Sequence, residues 1–134
     1  MIEIVMKHNG DVFFKVEIVQ DSQVLKCSWH GYTDVEKVKN GSNLLAFYLK
    51  STESKQLFVD SRSEEGPWND SQAWILDEWM PKVKALGLEK TAILTSKDMF
   101  SLVSAQEYER RSKMRGFKVK LFDNEQEALD WLIK

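Results

Sequence analysis

The 134-residue chain is 43% hydrophobic and 30% charged, with a formal net charge of −2. That balance suits one globular domain, 1–134, long enough to bury a core. It offers no global attraction to nucleic acid or to an anionic membrane surface. No apolar stretch approaches the roughly 20 residues that span a bilayer, so stable membrane insertion is not expected. The opening MIEIVMKHNG lacks the long apolar region and small-residue cleavage site of a signal peptide. One cysteine, Cys27, excludes an internal disulfide framework and suits a cytoplasmic location. It shares a strand face with Leu25 and Trp29 and reads as a buried structural thiol. With two histidines, His8 and His30, no zinc spacing can be assembled, and neither metal nor cofactor is expected.

In chain order, Asn9-Gly10 between EIVMKH and VFFKVEIV signals a hairpin, because that pair supplies the positive φ angles of a type I′ turn. Val12, Phe14, Val16 and Ile18 alternate along the second strand as its core face. Gln20-Asp21-Ser22 turns the chain into a third strand, 23–30. Thr33 and Glu36 stand in capping-box spacing before a helix whose stripe carries Val35, Val38, Leu45, Tyr48 and Leu49, with Gly41 as a candidate bend. A short apolar strand, 56–60, precedes a polar loop. Asp70 or Ser71 then caps a helix bearing Ala73, Trp74, Ile75 and Trp79; Pro81 calls for a kink or a fresh start, and Gly87 ends it.

After a strand at 91–95, Ser104 and Glu107 repeat the capping-box spacing and open a helix to about Arg115, closed by Gly116. The strand Phe117–Phe122 leads to Asp123, which with Gln126 caps a last helix carrying Ala128, Leu129, Trp131 and Leu132. The sum is α/β: a mixed sheet with antiparallel N-terminal strands followed by βα units. Two apolar strands bridged by a helix run parallel. A crevice is expected outside their carboxyl ends, at Asp60, Ser61, Arg62 and the loop to Asp70.

This order of landmarks resembles the STAS domain, and more narrowly its small stand-alone SpoIIAA-like members. The residues that carry the resemblance are Trp29-His30-Gly31, Asp60-Ser61-Arg62, the Trp74 helix and Glu78-Trp79-Met80-Pro81 running to Ala85-Leu86-Gly87. Ala92-Ile93, Phe122-Asp123 and Ala128-Leu129-Asp130-Trp131-Leu132 complete the set. The resemblance implies a regulatory or interaction module and not an enzyme. Antagonists of the family carry an Asp-Ser-Ser-Gly run whose second serine is a phosphorylation switch. Here the run is Asp70-Ser71-Gln72-Ala73: Gln72 stands at the switch position and the glycine is missing. Ser71 remains either a plain helix cap or a candidate phosphate acceptor near a helix start.

Six residues are the candidates for ligand or partner binding. Asp60 and Arg62 offer a carboxylate and a bidentate anion clamp, or simply pair with each other. Trp68, after the Gly66-Pro67 turn, is a candidate lid or contact residue, or folds back on the domain's own edge; Ser71, Trp74 and Trp79 complete the set. Trp29 and Trp131 read as core. Arg110, Arg111, Lys113 and Arg115 spread around their helix as a solvated face, and no aromatic interleaving suggests base stacking. Glu64-Glu65 reads as a surface pair, and no catalytic motif appears. Two functions remain open. One is a non-enzymatic module acting through contacts with a protein partner or itself. The other binds a small apolar or anionic, lipid-like ligand near Asp60–Trp68.

Overall fold

The computed structural model describes all residues, 1–134. Strands β1 (Ile2–His8) and β2 (Asp11–Ile18) form the expected hairpin, with positive φ at Asn9 and Gly10 (51° and 84°). Between Met6↔Phe14 and Lys7↔Val12 one extra residue, Phe13, sits in β2. This bulge breaks the strict alternation, so that Phe13 and Phe14 are both buried. Strand β3 (Val24–Tyr32) pairs antiparallel with β2 and parallel with β4 (Gln56–Glu65). Strands β5 (Lys90–Leu94) and β6 (Lys118–Phe122) continue in parallel, giving six strands in sequence order.

Helix α1 (Val35–Thr52) makes the β3–β4 crossover. Residues 69–85 make the next, as one rod with a 3-10 turn (Asn69–Ser71), α2 (Gln72–Trp74), a π turn (Ile75–Trp79) and α3 (Met80–Ala85). The break anticipated at Pro81 therefore takes the form of a π turn just before it, with Pro81 in the first turn of α3, where its missing N–H costs nothing. Helices α4 (Met99–Met114) and α5 (Glu125–Ile133) complete the chain. The larger core lies between one sheet face and α1, the 69–85 rod and Tyr108 of α4. A smaller one joins Phe58, Ala92 and Leu94 to Ala128 and Leu132 of α5 on the opposite face. No helix is long and apolar enough to cross a membrane.

Three helix starts differ from the sequence reading. Asp34, not Thr33, caps α1, its Oδ1 accepting from Lys37 N at 2.9 Å. Thr33 is drawn inward and buried instead. Helix α4 begins five residues before Ser104, capped by Asp98 through Ser101 N. Its first turn escaped the pattern because Met99, Phe100 and Val103 face solvent. Asn124, not Asp123, caps α5 through Glu127 N at 2.9 Å.

Gly41 lies inside α1, which runs unbroken through it. It is the place where the helix meets the Trp29 indole: a Cβ there would lie 2.6 Å from Trp29 Cη2 and 3.1 Å from Phe14 Cγ. The two rings pack tilted on each other, with centroids 4.3 Å apart. Gly41→Ala adds about 1 kcal/mol of helix propensity but drives a methyl into both rings. We expect urea unfolding to show a net loss of about 1–3 kcal/mol; a net gain would contradict this packing.

Candidate functional site

The feature that organises the carboxyl end of the sheet is a second bulge, in β4. Ser28 pairs with Asp60, whereas His30 pairs with Ser63, so one extra residue sits in β4. The strand thereby changes phase. Leu57, Val59 and Ser61 face the larger core, and beyond the bulge it is Glu64 that turns inward, while Ser63 and Glu65 are exposed. Glu64 is thus no surface acid; it is 5% exposed. Its Oε1 accepts from Ser101 Oγ at 2.8 Å, and the Thr33 hydroxyl is a second partner. Burial pushes its carboxyl up to about 7, the two hydroxyls opposing this and the nearby Asp98 charge adding to it. The Glu64 carbonyl accepts from Ser96 Oγ at 2.8 Å. One residue thus joins the segments that follow β3, β4 and β5.

The loop after β4 is latched onto α4. Asp98 Oδ1 accepts from Gly66 N (3.2 Å), Ser104 Oγ from Trp68 N (3.0 Å), and the Ser104 carbonyl from Gln72 Nε2 (2.8 Å). Ser104 is therefore a latch and not a cap. Trp68 packs tilted on Tyr108 at 5.3 Å. Beneath it lies a cavity of about 70 Å³ between the sheet and the helices, with Trp29, Trp68, Trp79 and Tyr108 in its walls and Ser61 and Glu64 on the strand side. The Trp79 indole donates to the Ser42 carbonyl at 2.6 Å.

The six candidates do not form one cluster. Trp68 and Trp79 share the cavity. Asp60 and Arg62 lie within β4, which runs on to Glu65 where a loop was expected. They face the α5 side, with Arg62 3.7 Å from Glu125. Arg62 grips Asp60 through two hydrogen bonds, Nε to Oδ1 at 3.1 Å and Nη2 to Oδ2 at 2.9 Å. Partial burial raises the Asp60 carboxyl, but the Arg62 side-chain and backbone hydrogen bonds and charge outweigh it and hold it low. The guanidinium is thus partnered within the chain. Ser71 is 1% exposed, with its hydroxyl out of reach of a phosphate donor in this conformation; Gln72 is fully buried and accepts from Arg111 Nη1 at 3.3 Å. Trp74 is half-buried with the Lys39 ammonium over its ring, and Trp79 is 5% exposed, a core residue and not a surface anchor.

One polar grouping escaped the sequence reading: Ser28 Oγ lies 2.8 Å from His30 Nε2, with Asp60 and Lys15 nearby. Burial, then Lys15, lowers the imidazole's affinity for a proton. The strand spacing of Ser28 and His30, two residues apart on one face, was the available signal. Cys27 is buried with its thiol pushed up, first by burial and then by the Asp60 and Glu64 charges, which makes it inert.

Glu64 makes stability pH-dependent. Its folded value lies above the ordinary 4.5, so the folded state holds the proton more tightly and stability falls as pH rises from about 4.5 to about 7. The full effect is about 3 kcal/mol. Glu64→Gln removes it: the wild-type advantage over the variant should decline through that window in urea unfolding, and a pH-independent difference would contradict the burial. Trp79→Ala should cost about 3–5 kcal/mol, and Trp74→Ala about 1–2 kcal/mol; the reverse order would contradict their placement.

No protein-family model matches the chain, and no curated protein matches its sequence. Among solved structures, the chain is similar to the anti-sigma factor antagonist SpoIIAA in its unphosphorylated form. The TM-score is 0.58 at 13% identity, covering 90% of this chain and 97% of that one. It is likewise similar to an uncharacterized protein with a SpoIIAA-like fold from Shewanella loihica PV-4. There the TM-score is 0.56 at 20% identity, covering 89% and 91% of the two chains. Identities this low establish likeness of architecture alone. The protein has a SpoIIAA-like fold, as the order of its sequence landmarks implied.

Proposed function

We propose that the protein is a non-enzymatic regulatory module of STAS type that acts through protein contacts. The observation that carries this reading is the surface of the first two turns of α4. Met99, Phe100 and Val103 are 73%, 67% and 57% exposed. They stand at i, i+1 and i+4, a spacing that gathers them toward one side of the helix. Exposed Tyr32 lies near this turn: its ring packs against Gly66, whose N–H is bonded to the α4 cap Asp98. Large apolar side chains that gather in solvent at one end of a sheet fit a docking surface better than a solvated helix face. The fold supports the same reading by analogy, since one protein of this architecture is an anti-sigma factor antagonist. The burial of Ser71 argues that docking here does not run through a phosphate at that position.

A photo-reactive residue placed at Phe100 in cells should give a discrete adduct, with a second copy or another protein, that is missing when the same residue replaces exposed Lys118. Phe100→Glu should abolish association with the partner so identified while changing stability by less than about 0.5 kcal/mol. Equal labelling at both positions, together with a strict monomer up to high concentration, would overturn the reading.

A further inference from the structure

We infer that the cavity beneath Trp68 is a binding site for a small, uncharged, mainly apolar molecule carrying one hydrogen-bond acceptor, which takes the indole N–H of Trp68. Two independent observations meet here. The first is the cavity, about 70 Å³, with ten hydrophobic residues among its fourteen. The second is that Trp68 Nε1 is buried with no hydrogen-bond partner. A buried donor left unpaired costs about 1–3 kcal/mol, and folded proteins rarely tolerate one without a use for it. The contrast with Trp79, on the same cavity, is direct: its indole N–H is bonded to Ser42. The Trp68 backbone is held against α4, because its amide N is bonded to Ser104 Oγ, Gly66 N to Asp98 Oδ1 and Gln72 Nε2 to the Ser104 carbonyl.

The lining selects the chemistry. No lysine, arginine or histidine borders the cavity, and its acid is Glu64. An anion would enter beside a carboxyl group with no countercharge, which is costly in such surroundings. The apolar half of the ligand expectation therefore fits this cavity, and the anionic half does not. The position shifts too, from the Asp60–Arg62 side of β4 to the opposite face. Size limits the occupant: a dry apolar cavity of about 150 Å³ accepts benzene, so this one suits a molecule smaller than a six-membered ring. A single water is the competing occupant, since Ser42, Ser61, Glu64 and Thr91 also border the space.

The test follows the Trp68 indole cross-peak, assigned by its loss in Trp68→Phe, in 15N-labelled protein. Four probes of about three heavy atoms each, sized to the cavity, are titrated: acetonitrile, ethanol, formate and ethylammonium. The two neutral probes should move the peak saturably, and the charged pair should bind at least roughly tenfold more weakly. Trp68→Phe should weaken the neutral probes by roughly tenfold, read at the other cavity resonances. Ser61→Leu should fill the space and abolish binding; Ile75→Phe serves if that variant does not fold. No saturable shift in folded wild-type protein, equal response to all four probes, or unchanged binding to a filled variant would overturn the inference. So would a long-lived water at the indole N–H that no probe displaces. Phe100→Glu should leave the titration unchanged, so that failure here and failure of the docking surface are told apart.

Discussion

A carboxyl group removed from water at the end of β4 is the constraint on which this end of the molecule depends. Burying a carboxylate is expensive unless hydroxyl or amide donors meet it or a proton stays on. Glu64 uses both routes, with Ser101 and Thr33 as its partners and its proton retained toward neutral pH. Those partners come from different crossovers. Satisfying one side chain therefore fixes the entry to α1, the entry to α4 and the exit from β4 relative to one another. The bulge opposite Ser28 and His30 is what makes this possible, since without the extra residue the strand would turn Glu64 to the other face.

From that knot the two proposed sites follow. Outward, the Asp98 cap and the latch through Ser104 hold the first turns of α4 with their apolar side chains in solvent. Inward, the same latch sets Trp68 over Tyr108 and roofs the cavity. One segment, residues 66–72, thus borders both.

Much of the fold was legible in the residues. Asn9-Gly10 announced the hairpin, Gly87 and Gly116 ended their helices, and the alternation of apolar strands with helices gave a mixed sheet whose later strands run parallel. The site was legible only in part. Trp68 was singled out because nothing obliged a loop tryptophan to be buried, and it is one of the residues that line the cavity. What pattern could not show were phase changes and tertiary partners. A bulge inserts one residue without any composition signal, so Glu64 looked like half of a surface pair, and Asp60 and Arg62 looked like the tip of a strand that in fact continues. Thr33 and Ser104 carry good capping spacing, but Thr33 was claimed by Glu64 and Ser104 by the Trp68 loop. The first turn of α4 was missed because its apolar residues face away from any core, the same property on which the proposed docking surface rests.

The measurement that bears most directly on this account is a 13C NMR titration of the Glu64 side-chain carboxyl in the folded protein. A midpoint near 7 is predicted, because the group is buried and bonded to hydroxyls instead of cations. A midpoint at the ordinary value of 4.5 would place the carboxyl in water. The knot, the latch and the cavity roof would then lose their common support.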